Sequence, residues 1–358
     1  MTKSFFDFFP VPDYLTFPAI GIDIGADSIK FVELVKNKNG ISLGKHGKKI
    51  IPNNSVGEFD GSNVSKILAS VGKEFKINYA HFSLPEEQSY FVKLSLPSMD
   101  MKDLRGSIEL QLEENVPYTL SEMVFDYEIT GISKNGDFEI NVSVLPLVVV
   151  NKYLNVLKNT EITPLSFEIE AESIARAVVP KDSSDTVMVI NVGDTETVLA
   201  IVNCGIVWLS YTIKMGGDFF SKSISEGLSI DIKEAERLKF SKGFIRNVEN
   251  QELLFTVAPA ISSLRDEILK HYWYWNEHKD KPTQANIDKI LLCGSQAGIK
   301  GFSDYLSASL NLSVSLANPW SNVFASGEVI PEISFNDSLE FSTAIGLALR
   351  GIGDFDNK

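Results

Sequence analysis

The segment Ile20–Leu34, IGIDIGADSIKFVEL, predicts a strand, a tight turn and a returning strand. Apolar and polar residues alternate from Ser28 to Leu34, and this alternation predicts the returning strand. Gly25 lets the backbone turn where a side chain would clash, and the successive N–H groups of such a turn can point at an anion. The segment therefore indicates a hairpin that cradles phosphate.

Two side chains of this hairpin carry charges suited to phosphate binding. Asp23 precedes the turn and can hold a hydrated Mg²⁺ that bridges phosphates. Lys30 follows the turn and can neutralise phosphate charge as a point cation. The alternative is an ordinary β-hairpin with a buried, hydrogen-bonded aspartate, and a single Gly-containing turn by itself favours that alternative.

A second copy of the pattern begins at Val187, where the chain reads VMVINVGDTETVLAIVNCGIVWLSYTI. Asn191 stands before the turn, and Gly193, Asp194 and Thr195 follow it. We interpret the two copies as a weak internal duplication. Two such hairpins facing each other would clamp a nucleoside triphosphate in one cleft.

The third motif is Asp288–Leu306, DKILLCGSQAGIKGFSDYL, which predicts a strand, a Gly-containing loop and a helix. Gly294 and Gly298 let the backbone come close to a flat ligand. Alone, such a motif is common in α/β proteins. In this order and spacing, however, the three motifs resemble the actin-like ATPase superfamily, whose members carry a first phosphate hairpin, a second phosphate hairpin and an adenosine loop.

Composition excludes several classes of protein. The chain of 358 residues has a net charge of −14 and no basic run beyond 45–49, so no nucleic-acid partner is expected. Its longest apolar runs, such as Val142–Val150, are too short to span a bilayer. The four histidines lack zinc-like spacing, and the two cysteines, Cys204 and Cys293, are expected to be reduced core thiols of a cytosolic protein.

The predicted fold class is α/β: an actin-like, ribonuclease H-like duplicated fold of two lobes, with a subdomain inserted in the first lobe. The insertion is indicated by predicted strands on both sides of a helix that Asp100 caps and whose buried stripe is Met101, Leu104, Ile108 and Leu112. The expected divisions are an aromatic N-terminal extension (1–19), the first-lobe core (20–78), the inserted subdomain (79–150), a return with a connecting helix (151–184), the second lobe (185–341), and a final helix and tail (342–358).

Within that superfamily the chain resembles the PilM family of type IV pilus assembly proteins from about Ile20 to Ile352. The likeness rests on the first hairpin, the block SLPEEQSYFVKLSLPSMDMKDLRGSIELQLEENVPYTLSEMVFDYEI, the EAESIARA and AERLK helices, IKMGGDFFSKSI, the third motif and AIGLALRG. It implies ATP and Mg²⁺ as cofactors and a cytoplasmic location at the inner membrane. It also implies other pilus assembly proteins as partners and peripheral attachment through the cytoplasmic N-terminal peptide of a PilN-like inner-membrane protein. A homo-oligomer stays open.

The resemblance assigns roles by motif position. The first phosphate site would be formed by Asp23, Gly25, Ala26, Ser28 and Lys30, with Asp23 holding Mg²⁺ through water. The second phosphate site would be formed by Asn191, Gly193, Asp194 and Thr195. The remaining positions would approach ribose and phosphate (Gly216, Gly217, Glu236 and Lys239) or back the adenine (Gly294 and Ser295).

The sequence departs from the family pattern at two places. Asn191 stands where an aspartate is usual, and the third motif reads CGSQ where a Gly-Gly pair is commoner. An amide carries no charge with which to hold a metal or an attacking water, so slow or absent ATP hydrolysis is expected. Asp194 is the candidate for a compensating catalytic residue.

We expect a nucleotide-binding scaffold that takes up a partner peptide between the first-lobe core and the inserted subdomain. The alternatives are an enzyme of the same superfold, either an ATPase or a sugar-kinase-like phosphotransferase, and an FtsA-like filament-forming membrane-associated ATPase. The acids Glu109, Glu113, Glu114 and Glu122 would favour a basic peptide. The alternative is that these acids only keep a surface helix soluble.

Overall fold

Two five-stranded sheets with the same strand order form the framework of the protein. The computed structural model describes residues 17–37, 40–52, 60–86, 89–277, 285–324 and 331–353. The first sheet has the order β3-β2-β1-β4-β8, with β1 (Ala19–Ile24), β2 (Ser28–Asn37), β3 (Gly40–Ile50), β4 (Tyr79–Leu84) and β8 (Thr163–Ile169). The first three strands are antiparallel, whereas β4 and β8 run parallel to β1.

The second sheet repeats this plan. Its order is β11-β10-β9-β12-β13, with β9 (Thr186–Val192), β10 (Thr197–Asn203), β11 (Ile206–Ile213), β12 (Lys289–Cys293) and β13 (Val314–Leu316). Again three antiparallel strands are followed by two parallel ones. The internal duplication predicted from the two hairpin motifs is therefore confirmed.

Helices cover the sheets and join the lobes. The first lobe carries α1 (Gly61–Phe75), α3 (Leu147–Leu157), α4 (Glu170–Val178) and the final helix α10 (Ser342–Gly351). The second lobe carries α5 (Gly217–Leu228), α6 (Ile232–Lys242), α7 (Gln251–Glu277), α8 (Phe302–Leu310) and the short α9 (Phe335–Ser338). Helix α10 returns to the first lobe, where it packs on β1 and α4.

The inserted subdomain is a three-stranded sheet with one helix. It consists of β5 (Tyr90–Leu96), α2 (Met101–Asn115), β6 (Met123–Ile132) and β7 (Phe138–Pro146), with the order β5-β7-β6. Its apolar core is separate from the main core. As predicted, Leu104, Ile108 and Leu112 of α2 are buried, but Met101, the first residue of the helix, is exposed because no other element of the described chain covers the helix start.

The expected boundaries 79–150 of this subdomain are too wide. Strand β4 is hydrogen-bonded to β1 and β8 in the first sheet, so the inserted sheet starts only at β5. At the other end, α3 buries Val149 and Tyr153 in the main core. The apolar strands of the first lobe and of the inserted subdomain follow one another in the sequence with similar composition. The sequence pattern therefore does not show where one ends and the other begins.

Three other expectations concern the chain ends and the cysteines. Residues 1–16 of the aromatic extension lie outside the described part, and the ring of Phe17 packs edge-on against Tyr79 at 5.1 Å. Cys293 is buried as expected, but Cys204 is exposed because it occupies the tight β10–β11 turn, where its φ is +52°. Within the described residues, no helix is both long and apolar enough to cross a membrane.

Candidate functional site

The two predicted phosphate hairpins have the same turn geometry. The Gly25 N–H donates to the carbonyl of Ser28 at 3.0 Å, and the Gly193 N–H donates to the carbonyl of Glu196 at 2.9 Å. Each turn follows the first strand of its sheet, so Asp23 and Asn191 occupy equivalent positions two residues before the glycine. The duplication therefore places two like turns at one cleft.

The first hairpin carries a buried carboxyl group and a buried ammonium group at paired strand positions. Asp23 and Lys30 are paired across β1 and β2 and are 8% and 7% exposed. Ser83 of β4 donates its hydroxyl to Asp23 Oδ1 at 2.8 Å. Burial raises the pKa of Asp23, while Lys30 and Ser83 act in the opposite direction. Asp23 is thus a poorly hydrated carboxyl group whose charge is stabilised by a nearby cation. Ala26, by contrast, is exposed at the turn.

The second hairpin is fixed from behind by α5. The Gly217 N–H donates to the carbonyl of Gly193 at 2.9 Å, and the Asp218 N–H donates to the carbonyl of Asp194 at 2.8 Å. A Cβ on Gly216 would lie 2.6 Å from the Asp194 carbonyl oxygen. These two helix N–H groups are therefore occupied by the hairpin, and Gly216 and Gly217 act in the structure as its close-packed support.

Lys239 reaches the same helix start from α6. Its side chain is only 1% exposed, and its Nζ donates to the carbonyl of Gly217 at 3.1 Å. Burial lowers the pKa of Lys239, while Glu236, Asp194 and Asp218 oppose this shift. Glu236 itself is exposed. A buried ammonium group therefore lies behind the turn at Gly193.

The two hairpins meet through a pair of carboxyl groups, Asp27 and Asp194, which share a hydrogen bond. Burial, together with the charge of Asp27, raises the pKa of Asp194 to about 6. Burial would raise the pKa of Asp27 as well, but the hydrogen bond with Asp194 and the charge of Lys30 outweigh burial and lower that pKa. Below about pH 6, where the pair holds a proton, that proton therefore resides on Asp194, and the pair links the two lobes across the cleft.

The third motif packs directly on this pair. Ser295 Oγ donates to Asp194 Oδ1 at 3.1 Å, and the amide of Gln296 donates to the same oxygen. Gly294 has a φ of +97°, and a Cβ there would lie 2.4 Å from the Val192 carbonyl oxygen. The glycine is thus required by both backbone conformation and space. Gln296 is only 1% exposed and fills the space next to Gly217.

Asn191 does not stand alone in the cleft. Its amide donates to Glu170 Oε1 at 2.8 Å, and Glu170 is the first residue of α4, the connecting helix. Burial raises the pKa of Glu170 well above its usual value, and the nearby charges of Asp23 and Glu196 act in the same direction. The cleft therefore holds a carboxyl group beside the amide that replaces the usual aspartate.

Reasoning from sequence missed three residues of this arrangement: Asp27, Glu170 and Gln296. Asp27 lies in the GADS turn and Glu170 opens EAESIARA, so both belong to recognisable motifs, but the sequence pattern assigns no role to either side chain. The structure brings Asp23, Lys30, Asn191 and Asp194 together with them. Thr195 lies at the second turn, and the nucleotide roles of all these residues stay predictions.

The residues at the cleft fit a hydrated Mg²⁺. Among the described residues, no group of three or more His, Cys, Asp or Glu side chains forms a complete metal site. Mg²⁺ usually keeps several waters and needs only one or two carboxylates in addition to phosphate oxygens. Four carboxyl groups lie close together here, and three of them have raised pKa values. They are Asp23, Glu170 and Asp194, with raised pKa values, and Asp27. A divalent cation would offset their negative charge.

A cavity of about 370 Å³ lies where the inserted subdomain meets both lobes. The inserted sheet contributes Asp126, Tyr127, Glu128, Asn141 and Ser143. The first lobe contributes α4 with Glu172 and Arg176, and the second lobe contributes the β10–β11 turn at 205–207. This volume is within the usual range of ligand pockets.

The four acids expected to face a peptide lie outside this cavity. Glu122 accepts hydrogen bonds from the backbone and hydroxyl of Thr119, and Glu109 pairs with Arg105 at 3.4 Å. Glu113 accepts from the Leu120 N–H at 3.4 Å, and Glu114 is exposed on α2. The acids that do line the cavity are Asp126, Glu128, Glu168 and Glu172.

Comparisons with known proteins agree with this architecture. MreB5 of Spiroplasma citri, solved with ADP, aligns at a TM-score of 0.58 with 14% identity, covering 96% of this chain and 99% of that one. The ethanolamine utilization protein EutJ from Carboxydothermus hydrogenoformans aligns at a TM-score of 0.56 with 16% identity, covering 95% of this chain and 91% of that one. The duplicated sheets and their cleft define an actin-like ATPase fold.

The family follows from a sequence match. The model of the type IV pilus assembly protein PilM family matches residues 21–352. A structure described as the PilM-PilN type IV pilus biogenesis complex aligns at a TM-score of 0.75 with 18% identity, covering 93% of this chain and 98% of that one. The chain belongs to the type IV pilus assembly protein PilM family.

Proposed function

We propose that this protein is an ATP-binding scaffold of the type IV pilus assembly machinery. Mg²⁺-ATP would occupy the cleft, and the cytoplasmic N-terminal peptide of a PilN-like inner-membrane protein would occupy a groove beside the inserted subdomain. The observation that carries the proposal is the meeting of two like hairpins at Asp27 and Asp194, next to a third body that contacts both lobes. Binding to the partner would hold the protein at the cytoplasmic face of the inner membrane.

The nucleotide half of the proposal is supported by the cleft and by structures of related fold. MreB5 of Spiroplasma citri was solved with ADP and with AMPPNP. Here the glycine turns at Gly25 and Gly193 would approach the phosphates, Lys30 would face their charge, and Asp23 would hold Mg²⁺ through water. Bound Mg²⁺ would supply the positive charge that offsets the phosphate oxygens.

The peptide half is supported by the inserted sheet. In the order β5-β7-β6, strand β6 is an edge, and its residues Asp126, Tyr127 and Glu128 line the cavity. An extended peptide can add to such an edge through backbone hydrogen bonds while its side chains enter pockets. The structure described as a PilM-PilN complex shows that a protein of this fold forms a complex with PilN.

The inserted subdomain also contacts the second lobe, so nucleotide binding between the lobes would affect the peptide groove. The Asn141 amide donates to the Val207 carbonyl at 2.8 Å. Lys93 of β5 places its Nζ 4.9 Å from the ring centre of Trp208 and 5.2 Å from that of Trp275. Because Val207 and Trp208 belong to β11, a movement of the second lobe on nucleotide binding would change the wall of the cavity.

One observation favours a second function, that of an ATPase. Glu170 is a half-buried carboxyl group with a raised pKa beside Asn191, and such groups often serve as general bases. Slow turnover would still be expected, because the neutral Asn191 replaces the acid that would help hold metal and water.

The two functions are separated by steady-state ATP hydrolysis. We expect a wild-type rate well below about 1 s⁻¹, the lower end of typical enzyme rates. Asn191→Asp should raise that rate with Mg²⁺ present, since the cation would offset the new carboxylate beside Glu170. Without Mg²⁺ the same variant should melt at a lower temperature than the wild type, because two carboxyl groups would then face each other. A wild-type rate of about 1 s⁻¹ or faster would favour the enzyme.

A further inference from the structure

We propose that the cavity between the inserted subdomain and α4 receives the side chain of an arginine or lysine of the bound peptide. This inference rests on the proposed function, since it assumes that a peptide lies along the inserted sheet. It adds the chemical class of the residue that the protein recognises, and it assigns the recognition to Asn141 and Glu172.

The first observation is an acceptor without a donor. Asn141 is only 6% exposed, and its Nδ2 is used by the Val207 carbonyl. Its Oδ1 is buried and has no hydrogen-bond partner among the described residues. A buried acceptor left unpaired costs free energy, which a donor from a ligand would recover. Asn141 lines the cavity, so the missing donor is expected there.

The second observation is the distribution of charge around the cavity. Arg176 and Arg350 both bind the single carboxylate of Glu168, with Arg176 at 2.5 and 2.6 Å to its two oxygens. These two cations are therefore engaged at one wall. The other carboxyl groups of the lining are Asp126, Glu128 and Glu172, and the remaining cation, Lys181, is exposed.

Glu172 is the carboxyl group most directly placed to meet a cation. It lies on α4 opposite the inserted sheet, and it accepts a hydrogen bond from Ser143 of β7 at 2.5 Å. Its other lone pairs, together with Asn141 Oδ1, are all acceptors. An ammonium group has three donors and a guanidinium has five, whereas a carboxylate has none and would be repelled. The lining therefore selects a donor-rich cation.

This arrangement predicts a pH dependence with a definite sign. Burial raises the pKa of Glu172 to about 7, with Glu168 and Asp126 acting in the same direction and Ser143 and Arg176 opposing them. The neighbouring Glu86 also couples to Glu172, and Arg350, Glu128 and Lys181 face the same space. Above about pH 7 the carboxylate is charged, so a cationic side chain should bind more tightly at about pH 8 than at about pH 6.

The test uses synthetic peptides that cover the cytoplasmic N-terminal tail of the PilN-like membrane protein from the same cell. Fluorescence anisotropy would measure their affinity for the full chain at about pH 6 and about pH 8. Each arginine would be replaced in turn by citrulline and each lysine by norleucine, which keep the approximate shape and remove the charge. One replacement should weaken binding at the higher pH by about 10-fold or more.

Glu172→Gln should weaken binding of the unmodified peptide and flatten its pH profile, while Glu114→Gln on the exposed face of α2 should change neither. If no charge-removing replacement changed the affinity of the wild-type protein, and that affinity were the same at both pH values, this inference would be overturned. The proposed function would still stand. Absence of binding by any tail peptide would overturn the proposed function itself.

Discussion

Replacing Asp23 with asparagine is expected to lower the affinity for Mg²⁺-ATP by at least about 10-fold, since a hydrogen bond to a charged group contributes roughly 1.5–3 kcal/mol. The substitution preserves size and removes the charge that would hold the hydrated metal. Asp23 is 8% exposed, with Lys30 at the paired strand position and Ser83 hydrogen-bonded to it, so its position is fixed by the surrounding strands. Calorimetric titration with Mg²⁺-ATP measures the effect.

Two controls separate the metal role from a general loss of structure. Titration with ATP and excess chelator should show a much smaller difference between Asp23→Asn and wild type, because the metal contribution is then absent from both. Asp304→Asn, on the exposed face of α8, should bind Mg²⁺-ATP as the wild type does. Equal Mg²⁺-ATP affinity in Asp23→Asn and wild type would refute the assigned role.

The largest effect on stability is expected at Gly346. A Cβ at this position would lie 1.7 Å from the carbonyl oxygen of Ser173 on α4 and 2.5 Å from its carbonyl carbon. These are backbone atoms, so relief requires α10 and α4 to move apart. Overpacking usually costs about 1–3 kcal/mol, and we expect Gly346→Ala to lower the free energy of unfolding by about 3 kcal/mol, as measured by urea denaturation.

Gly106→Ala is the matched control for that substitution. Gly106 lies in α2, and nothing is within 4 Å of the position its Cβ would take. Alanine is the better helix former by about 0.8–1 kcal/mol, so this variant should be slightly more stable than wild type. If Gly346→Ala proved as stable as Gly106→Ala, the close approach of α10 and α4 would be wrong.

The effect at Gly346 also bears on function, because α4 connects the two sites. Its first residue, Glu170, faces Asn191 in the cleft, and Glu172 faces the cavity two residues later. Thr343 of α10 donates its Oγ1 hydroxyl to Glu170 Oε1 at 3.5 Å. A shift of α4 should therefore weaken both nucleotide and peptide binding, whereas a substitution in α2 alone should weaken neither.

The parts of the fold that depend on local pattern could be predicted from the sequence. The alternation after Ser28, the glycine turns and the repeat at Val187 each report short-range backbone preferences, and the duplicated sheets confirm them. The buried stripe of α2 was predicted for the same reason, apart from Met101.

The parts that depend on contacts between distant segments could not be predicted. The Asp27–Asp194 pair joins residues far apart in sequence, and the raised pKa of Asp194 arises from burial that no local pattern reports. The same holds for Glu170 beside Asn191 and for Asn141 beside the second lobe. The boundary at residue 79 was wrong because a strand's partner, and not its own composition, decides which sheet it joins.

The central claim is tested most directly by recovery of the PilN-like protein from detergent-solubilised membranes of the source cell. Ser143 lies on β7 in the cavity wall, so Ser143→Trp would fill the cavity, while Ser95→Trp places the same bulk on an exposed position of β5. We predict that wild type and Ser95→Trp recover the partner, that Ser143→Trp recovers at least about 10-fold less, a change of about 1.4 kcal/mol, and that all three bind Mg²⁺-ATP equally. Undiminished recovery by Ser143→Trp would contradict the account.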